Sequence, residues 1–386
     1  MVARADSESA AALRGALVEL ARAEPSAERV AAVWTDPASR ATLLAAAEAH
    51  GLSSTLHDRL VGLDAVVPDA LAERRRGATA RRLAARSTLA RIAPVLDDRG
   101  VPWVVCKGPV VAARHDRPED REFNDLDLLV PGGRLGEVVE ALGHAGVESV
   151  NRNWGAYLAH GVGEIPLSHG TVWIDLHWDL VGLARTRRHF RLRTAELLGR
   201  RRSLPLDGRS VPVLCPVDEV LHLALHAGLG GGGRLCWLRD LRVVVATTPP
   251  DWDELVVAAR RARLATIVGP VLDRARLVIG ADVPADVAPH LVPAPLLHAR
   301  RWLDDRPTSA GVLGRRVGSA ALVRSGRDDL LPTVEAAGRE VRTRALAALG
   351  RPARWDVADE HSVLYWATEA GGDTAYDRYL ELAATA

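Results

Sequence analysis

Two aspartates separated by one residue are the first feature of this chain that could do chemistry. Asp125 and Asp127 open a run of alternating acidic and apolar residues that ends at Val130, which predicts a strand. Alternate side chains of a strand lie on the same face, so both carboxylates would project together. Adjacent carboxylates repel each other, and a divalent cation such as Mg²⁺ would offset that repulsion. An exposed edge strand that carries two acids is the alternative interpretation of this pair alone. If repulsion dominates, removing one acid leaves the metal-free protein equally stable or slightly more stable.

A second feature is the turn Lys107-Gly108-Pro109, which follows an apolar run over residues 101–106 and precedes a predicted helix over 109–114. Lys107 is the only lysine in a chain that otherwise uses arginine as its basic residue. Glycine permits close approach of a phosphate, a helix N-terminus favours anions, and an ammonium is not interchangeable with a guanidinium. The pattern therefore predicts a phosphate-binding turn. An ordinary strand-to-helix turn with a chance lysine is the alternative.

A third acid lies farther along, in the alternating segment Val172 to Trp178. Residues 165–167 and 172–180, joined by a turn at His169-Gly170, predict a hairpin whose second strand carries Asp175 and His177 on one face. Asp175 could complete a metal site of three aspartates or accept a proton from a hydroxyl. His177 is interpreted either as a packed, hydrogen-bonded histidine or as a substrate contact.

The surrounding composition predicts an α+β fold. Residues 7–98 are rich in good helix formers, residues 101–214 form a β-rich centre with a helix over 134–145, and Pro216 opens a second helical region. We therefore predict a small mixed-sheet core at 101–215, between an N-terminal helical region at 1–100 and a C-terminal helical domain at 216–386. The arginine-rich stretch from Arg185 to Arg202 is predicted to be a solvated helix face.

This order of elements resembles the polymerase-beta-like nucleotidyltransferase superfamily: strand, small-residue turn, helix, strand with paired acids, later strand with a third acid. The run from Lys107 through Arg121 to Val130 is similar to a bacterial nucleotidyltransferase-like family often labelled uncharacterised. Asp175-Leu-His-Trp178, the segment from Asp218 to His226 and the segment from Trp237 to Asp240 extend the likeness, which covers residues 101 to 280.

The resemblance implies an in-line attack by an acceptor hydroxyl on the α-phosphorus of a nucleoside triphosphate, with release of pyrophosphate. ATP is the expected triphosphate. It implies Mg²⁺ or Mn²⁺ as cofactor, in a two-metal arrangement. The chain has Lys-Gly where the superfamily usually has Gly-Ser, so a binding or scaffold protein without turnover stays open. The implied metal ligands are Asp125, Asp127 and Asp175; the implied nucleotide contacts are Lys107, Gly108, Arg121 and Asn124; candidate substrate contacts are His177, His226 and Asp240.

Two weaker sequence patterns each have more than one interpretation. His222 and His226 share a helix face, but without a neighbouring glutamate or a third ligand their spacing favours packing or substrate contact over zinc. The polar and aromatic residues Asn151, Asn153, Trp154 and Tyr157 would either touch the base or the acceptor, or form a surface loop.

Bulk composition narrows the function classes. The formal net charge is +1, so the chain lacks the basic field of a nucleic-acid binder, and a toxin-like enzyme acting on transfer RNA is disfavoured. We expect the acceptor to be a small molecule, a peptide or a protein, and the oligomeric state is open. Three scattered cysteines, no apolar leader and no membrane-length apolar run favour a cytoplasmic protein without membrane contacts.

Overall fold

The computed structural model describes residues 2–23, 26–305, 319–349 and 372–385. The chain divides into two compact units, each built from separate stretches of sequence. The first unit comprises Met1–Thr79, Arg114–Glu122 and Leu223–Glu340, and the second comprises Ala80–Ala113, Phe123–His222 and Val341–Ala386. The predicted boundaries at residues 100 and 215 follow helix content rather than spatial contacts, and they stay a prediction.

Helices dominate the described chain. In chain order they are α1 (Val2–Glu19), α2 (Ala27–Trp34), α3 (Pro37–His50), α4 (Ser53–Gly62), α5 (Asp69–Asp98), α6 (Pro109–Ala112), α7 (Leu135–His144), α8 (Trp154–His160), α9 (Ala184–Arg187), α10 (Thr194–Gly199), α11 (Pro216–Leu229), α12 (Leu235–Thr247), α13 (Trp252–Arg261), α14 (Ala265–Ile279), α15 (Val287–Leu291), α16 (Ala294–Asp305), α17 (Ala320–Ser325), α18 (Leu330–Ala348) and α19 (Gly372–Thr385). Within the described ranges, no helix combines the length and the apolar character needed to cross a membrane.

The first unit is helical. Its helices begin and end at residues with the usual capping chemistry: Asp36 accepts a hydrogen bond from the Ser39 amide before α3, and Asp251 accepts one from the Glu254 amide before α13. Leucines at helical spacing, such as Leu17 and Leu20, are buried. The predicted helical character of residues 7–98 is therefore seen in α1 to α5.

The second unit contains a seven-stranded mixed sheet, which confirms the predicted α+β class. β2 (Asp125–Leu129) runs parallel to β5 (Val172–His177) and antiparallel to β1 (Val104–Val105), while β1 runs parallel to β7 (Arg209–Val213). The central strands are apolar on their core face, where Leu126, Leu128 and Ile174 are fully buried. The strands are β1 (Val104–Val105), β2 (Asp125–Leu129), β3 (Glu148–Ser149), β4 (Glu164–His169), β5 (Val172–His177), β6 (Arg202–Leu206) and β7 (Arg209–Val213), in the sheet order β3-β4-β5-β2-β1-β7-β6.

Helix α19 belongs to the same unit and packs against α8, α7 and the 3₁₀ turn Gly132–Arg134. The backbone approach is so close that a Cβ on Gly132 would overlap the carbonyl of Ala383. The phenol of Tyr379 donates a hydrogen bond to the Val162 carbonyl at 2.8 Å and accepts one from the Trp178 indole at 2.9 Å. The last helix therefore completes the apolar packing of this unit.

Three predicted elements differ from the structure. The run 101–106 forms a strand only at Val104–Val105, and the helix predicted over 109–114 is the four-residue α6. The stretch from Arg185 to Arg202 is not one solvated helix face: it forms α9, α10 and the first residue of β6. Its Arg187 lies over the Trp178 ring and donates hydrogen bonds to the carbonyls of Val181 and Gly161, so this arginine is used for packing.

Candidate active site

The parallel pairing of β2 with β5 brings two of the predicted acids together. The register places Asp127 beside Asp175 and Leu129 beside His177. One ligand atom from each of Asp127, Asp175 and His177 lies within 4.8 Å of the others, and all three side chains are buried. Asp125, the first residue of β2, is half-buried and pairs in register with Trp173. The structure therefore groups Asp127 and Asp175 as the sequence predicts and adds His177 to them.

Lys107 is the cationic partner of this acidic group. Its Nζ lies 2.9 Å from Oδ1 of Asp127. Burial lowers the pKa of Lys107, but the charges of Asp127 and Asp125 outweigh burial and raise it above its ordinary value. In turn, burial raises the pKa of Asp127, and Lys107 together with His177 holds it well below the ordinary value. Both groups are therefore charged at neutral pH, and the ion pair is buried.

The turn that presents Lys107 requires glycine at the next position. Gly108 has φ 62° and ψ −122°, a conformation that side chains with a Cβ rarely adopt. A Cβ at this residue would lie 3.0 Å from the backbone oxygen of Asp125. Gly108 thus lets the lysine turn pass directly over the first residue of β2. Helix α6 has only four residues, so the helix N-terminus predicted to bind an anion has almost no dipole behind it.

His177 connects two carboxylates. Its Nε2 lies 3.2 Å from Oδ1 of Asp127, and its Nδ1 lies 3.1 Å from Oε2 of Glu164. Burial lowers the pKa of His177, but the hydrogen bond with Asp127 and the charge of Glu164 raise it to about 9. The ring is therefore an imidazolium at neutral pH, hydrogen-bonded to Asp127 through Nε2 and ion-paired with Glu164 through Nδ1. This geometry agrees with the interpretation of His177 as a packed, hydrogen-bonded histidine.

Glu164 was not predicted from the sequence. It lies on β4, directly opposite His177 in the antiparallel register of the hairpin. The predicted hairpin could have identified Glu164 as a neighbour of His177. Counting outward along both strands from the turn between His169 and Val172 places Glu164 opposite His177.

The pKa of Asp175 is shifted in the opposite direction from that of Asp127. Burial raises the pKa of Asp175, the charges of Glu164, Asp125 and Asp127 raise it further, and it reaches about 8. A buried carboxyl in this range exchanges a proton near neutral pH, which suits a group that accepts a proton from a hydroxyl.

The donor set fits a divalent cation. Oδ2 of Asp127 is buried and has no hydrogen-bond partner among the described residues. A buried carboxylate oxygen without a partner is costly, and an oxygen-seeking cation would satisfy it. Mg²⁺ prefers oxygen ligands, which favours Asp125 as the third ligand, whereas a deprotonated His177 oriented by Glu164 would suit Mn²⁺ or another metal that accepts imidazole.

Three predicted site residues fall in the first unit. The guanidinium of Arg121 donates to both carboxylate oxygens of Asp240 at 2.9 Å each, and His115 lies 3.4 Å from the same carboxylate. Burial raises the pKa of Asp240, but Arg121 and His115 lower it to about 2. The ring of His226 packs edge-on against Trp237 at 5.1 Å. In this structure Arg121 and Asp240 are therefore paired with each other, and His226 makes an aromatic contact.

The remaining candidates fall in the second unit and have local contacts. Asn124 is exposed. Asn153 caps α8 by accepting a hydrogen bond from the Ala156 amide at 3.3 Å, and Asn151 accepts one from the Asn153 amide at 2.8 Å. Trp154 and Tyr157 pack with Tyr379, with ring centroids 5.4–5.9 Å apart. These residues form buried structure, so the surface-loop interpretation of this segment is wrong.

Comparison with known proteins gives three results. No curated protein matches the chain significantly. The solution structure of the antibiotic-resistance factor ANT(2'')-Ia is similar at 18% identity over 46% of this chain and 90% of that one, with a TM-score of 0.33, a level at which no residue role can be transferred. The model of a family described as an uncharacterised nucleotidyltransferase matches residues 36–280, more than half of the chain, and its start at residue 36 includes helices that the sequence resemblance left out. The chain therefore belongs to this uncharacterised nucleotidyltransferase family.

Proposed function

We propose that this nucleotidyltransferase is metal-dependent and transfers a nucleoside monophosphate from a nucleoside triphosphate, ATP first among them, to a hydroxyl on a small molecule, a peptide or a protein. The observation that carries the proposal is the pairing of Asp127 with Asp175 across parallel strands, beside Lys107 and with an unpartnered oxygen on Asp127. Paired carboxylates next to a lone ammonium are the groups that triphosphate chemistry needs.

In the proposed reaction the acceptor oxygen forms a bond to the α-phosphorus, and the bond from that phosphorus to the β-phosphate oxygen breaks. Burial and neighbouring acids raise the pKa of Asp175 to about 8, so this carboxyl first releases its own proton to solvent, and the carboxylate then accepts the hydroxyl proton. Lys107 offers positive charge to the triphosphate and the departing pyrophosphate. When bound, a divalent cation held by Asp127 and Asp175, with Asp125 or His177, would supply further charge compensation for the phosphates.

His177 acts on Asp127 rather than on the substrate in this proposal. As an imidazolium held by Glu164, it donates to Oδ1 of Asp127 and fixes the orientation of that carboxylate. The other oxygen of Asp127 is then left to face a cation. Glu164 and His177 are positioning residues in this scheme.

The test is direct. The purified chain is incubated with each α-³²P-labelled triphosphate, Mg²⁺ or Mn²⁺ and cell extract as a source of acceptors, and pyrophosphate release and labelled products are measured. Label transfer that requires metal and is lost in Asp127→Asn supports the proposal. Absence of transfer with every triphosphate would contradict it.

The third metal ligand can be assigned in the same system. If Asp125 is the ligand, Asp125→Asn loses metal binding by calorimetry while His177→Gln retains it. If His177 is the ligand, His177→Gln loses metal binding and Asp125→Asn retains it. Mn²⁺ then binds more tightly than Mg²⁺, because imidazole is a poor ligand for Mg²⁺.

A second candidate function is a binding protein that has lost turnover. The Lys107–Asp127 ion pair favours it, because the ammonium already neutralises a carboxylate that a cation would need. Triphosphate binding without metal, combined with absence of transfer, would identify this case.

A further inference from the structure

The first unit contains a cavity of about 330 Å³, and none of the acids of the candidate active site lines it. Its walls come from the residues that follow α1, from α4, from the segment between α6 and β2, and from α12. The volume is at the lower end of the range for pockets that hold small ligands.

Basic side chains dominate the lining of this cavity. Six arginines and three aspartates face it, an excess of three positive charges. His115 adds no charge, because burial lowers its pKa from 6.5. The lining arginines are Arg22, Arg59, Arg114, Arg117, Arg239 and Arg242, and the lining aspartates are Asp58, Asp116 and Asp120.

Two of the aspartates are already used by arginines. Asp120 accepts from Nη2 of Arg239 at 3.0 Å. Asp58 accepts from Arg117 at 2.8 Å and from Arg75, which lies outside the lining, at 2.9 Å. Arg22 pairs with Glu19, which also lies outside the lining, at 3.2 Å, and Arg114 donates to the Thr248 hydroxyl. The positive charge that faces the cavity therefore comes chiefly from Arg59 and Arg242.

Arg242 is the clearest case of charge without a partner. No hydrogen bond or ion pair joins its guanidinium to another described residue, and its Nε is buried. Burial lowers the pKa of Arg242, the charge of Arg239 one helical turn away lowers it further, and the charge of Asp116 offsets only part of this lowering. Arg59 repeats the pattern, with a buried Nε that has no hydrogen-bond partner in the described chain. Two half-buried cations held this way destabilise the protein unless an anion joins them.

Helix α12 presents this charge at a fixed spacing. Arg239, Arg242 and Ala246 lie at helical intervals and line the same cavity, and the small side chain of Ala246 leaves space beside the two guanidinium groups. A planar guanidinium binds carboxylate and phosphate oxygens in a bidentate manner, and a phosphate offers more oxygens than a carboxylate to several converging arginines.

We propose that this cavity binds the phosphate or diphosphate group of a small phosphorylated ligand, with Arg242 and Arg59 as its principal contacts. The excess of three positive charges matches a ligand that carries two or three negative charges. The site is independent of the proposed transfer reaction, because its lining shares no residue with Lys107, Asp127 and Asp175.

The test is calorimetric titration of the full chain with inorganic phosphate and with pyrophosphate, in EDTA and at constant ionic strength, with succinate as a dianion that lacks phosphorus. The key variant is Arg242→Gln, and the matched control is Arg76→Gln, which removes the same charge from an exposed position of the same unit. Lys107→Ala reports whether the anion binds at the candidate active site instead.

We expect pyrophosphate to bind the parent and Arg76→Gln alike and to bind Arg242→Gln at least tenfold more weakly, and we expect Lys107→Ala to retain the binding that depends on Arg242. Without ligand, Arg242→Gln should melt at the same temperature as the parent or higher, because an unpaired half-buried charge has been removed; should it fail to fold, Arg59→Gln replaces it. The proposal is overturned if pyrophosphate does not bind the parent, if Arg242→Gln binds it as well as the parent, if Lys107→Ala loses binding, or if succinate binds equally tightly.

Discussion

Lys107 and Asp127 form a buried ion pair, with Nζ of the lysine 2.9 Å from Oδ1 of the aspartate. The same oxygen lies 3.2 Å from Nε2 of His177, so one carboxylate oxygen serves two cations while the other has no hydrogen-bond partner among the described residues. The two oxygens of Asp127 are therefore in different electrostatic environments. Any added cation meets the carboxylate through the unpartnered oxygen.

The first prediction concerns Asp127→Asn. Like-charge repulsion between Asp125 and Asp127 alone predicts a variant at least as stable as the parent, but the structure reverses the expected sign, because the variant leaves the cations of Lys107 and His177 without their main partner. We expect the free energy of unfolding at pH 7, measured by urea denaturation without metal, to fall by about 3 kcal/mol. Metal binding and transfer should be lost.

Asp125→Asn is the control for this variant, because Asp125 is only half-buried whereas Asp127 is fully buried. Its unfolding free energy should change much less. Equal stability losses in the two variants would show that the Lys107–Asp127 pair does not stabilise the fold.

The second prediction concerns Lys107→Arg. Charge is kept, but the planar, forked guanidinium is larger than the space beside Asp127, where only 14% of the lysine side chain is exposed. We expect turnover to fall tenfold or more, about 1.4 kcal/mol in transition-state stabilisation, and Lys107→Ala to lose more. Single-turnover kinetics together with triphosphate binding separate a ground-state contact from one made only in the transition state. If Lys107→Arg has the turnover and the triphosphate binding of the parent, a lysine is not required at this position and its presence is due to chance.

A third prediction compares two glycines of the second unit with almost the same φ. Gly108→Ala places a Cβ 3.0 Å from the Asp125 backbone oxygen, whereas Gly100→Ala, at φ 61°, meets nothing within 4 Å. Both variants carry the conformational cost of about 1–2 kcal/mol for an alanine at positive φ. Only Gly108→Ala should cost more than this in thermal unfolding, and only it should lower activity. Matching losses of stability and activity would mean that the close approach at Gly108 has no consequence.

A fourth prediction tests the link between Glu164 and His177. Glu164→Gln keeps the shape of the side chain and removes the charge that helps raise the pKa of His177 to about 9. NMR titration of the metal-free protein should show that the pKa of His177 falls by about 1 unit or more. Glu148→Gln, on the exposed edge of β3, should leave it unchanged.

The sign for stability follows from the same shift. A histidine whose folded pKa is raised contributes stability that is fully present below about 6.5 and is lost as pH rises through about 9. In Glu164→Gln this loss of unfolding free energy at alkaline pH should be smaller than in the parent. An identical alkaline loss in both proteins would contradict the assigned role of Glu164.

The fifth prediction concerns acid. His222 is buried, and burial together with the charge of Lys107 lowers its pKa to about 3. Between pH 6.5 and about 3 the unfolded chain binds the proton and the folded chain does not, so the unfolding free energy falls on acidification, by up to about 1.4 kcal/mol per pH unit from this group. His222→Gln should flatten that slope, measured by urea denaturation, and the exposed His298→Gln should not. A parent-like slope in His222→Gln would exclude His222 as the source.

The sequence predicts the acids of the candidate site more readily than their partners. Strand alternation marks Asp125, Asp127 and Asp175, because a two-residue period is visible in any isolated strand. The contact between Asp127 and Asp175 depends on β2 pairing in parallel with β5, and that choice of neighbour comes from the packing of the whole sheet. The pairing of Arg121 with Asp240 joins residues that are distant in sequence, which no local pattern encodes.

Element type is predicted better than element length for a related reason. The apolar run at 101–106 is correctly a strand, but its pairing with β2 and β7 lasts only for Val104–Val105. Hydrogen bonds from neighbouring strands decide where a strand ends, and they are made by residues far along the chain. The predicted hairpin at 165–180, whose two strands are adjacent in sequence, is closer to the observed β4 and β5.

The position of α19 has a consequence for synthesis on the ribosome. The sheet strands and Trp154 are translated early, but the aromatic partners Tyr376 and Tyr379, and the contact between Gly132 and Ala383, come from a helix that emerges more than two hundred residues later. Until then the nascent second unit exposes an apolar surface around Trp154 and Tyr157 and lacks the bond from the Trp178 indole to Tyr379. Such a surface is a binding site for chaperones and a point of aggregation in truncated chains. Emergence of α19 from the ribosome is therefore the step that allows this unit to close.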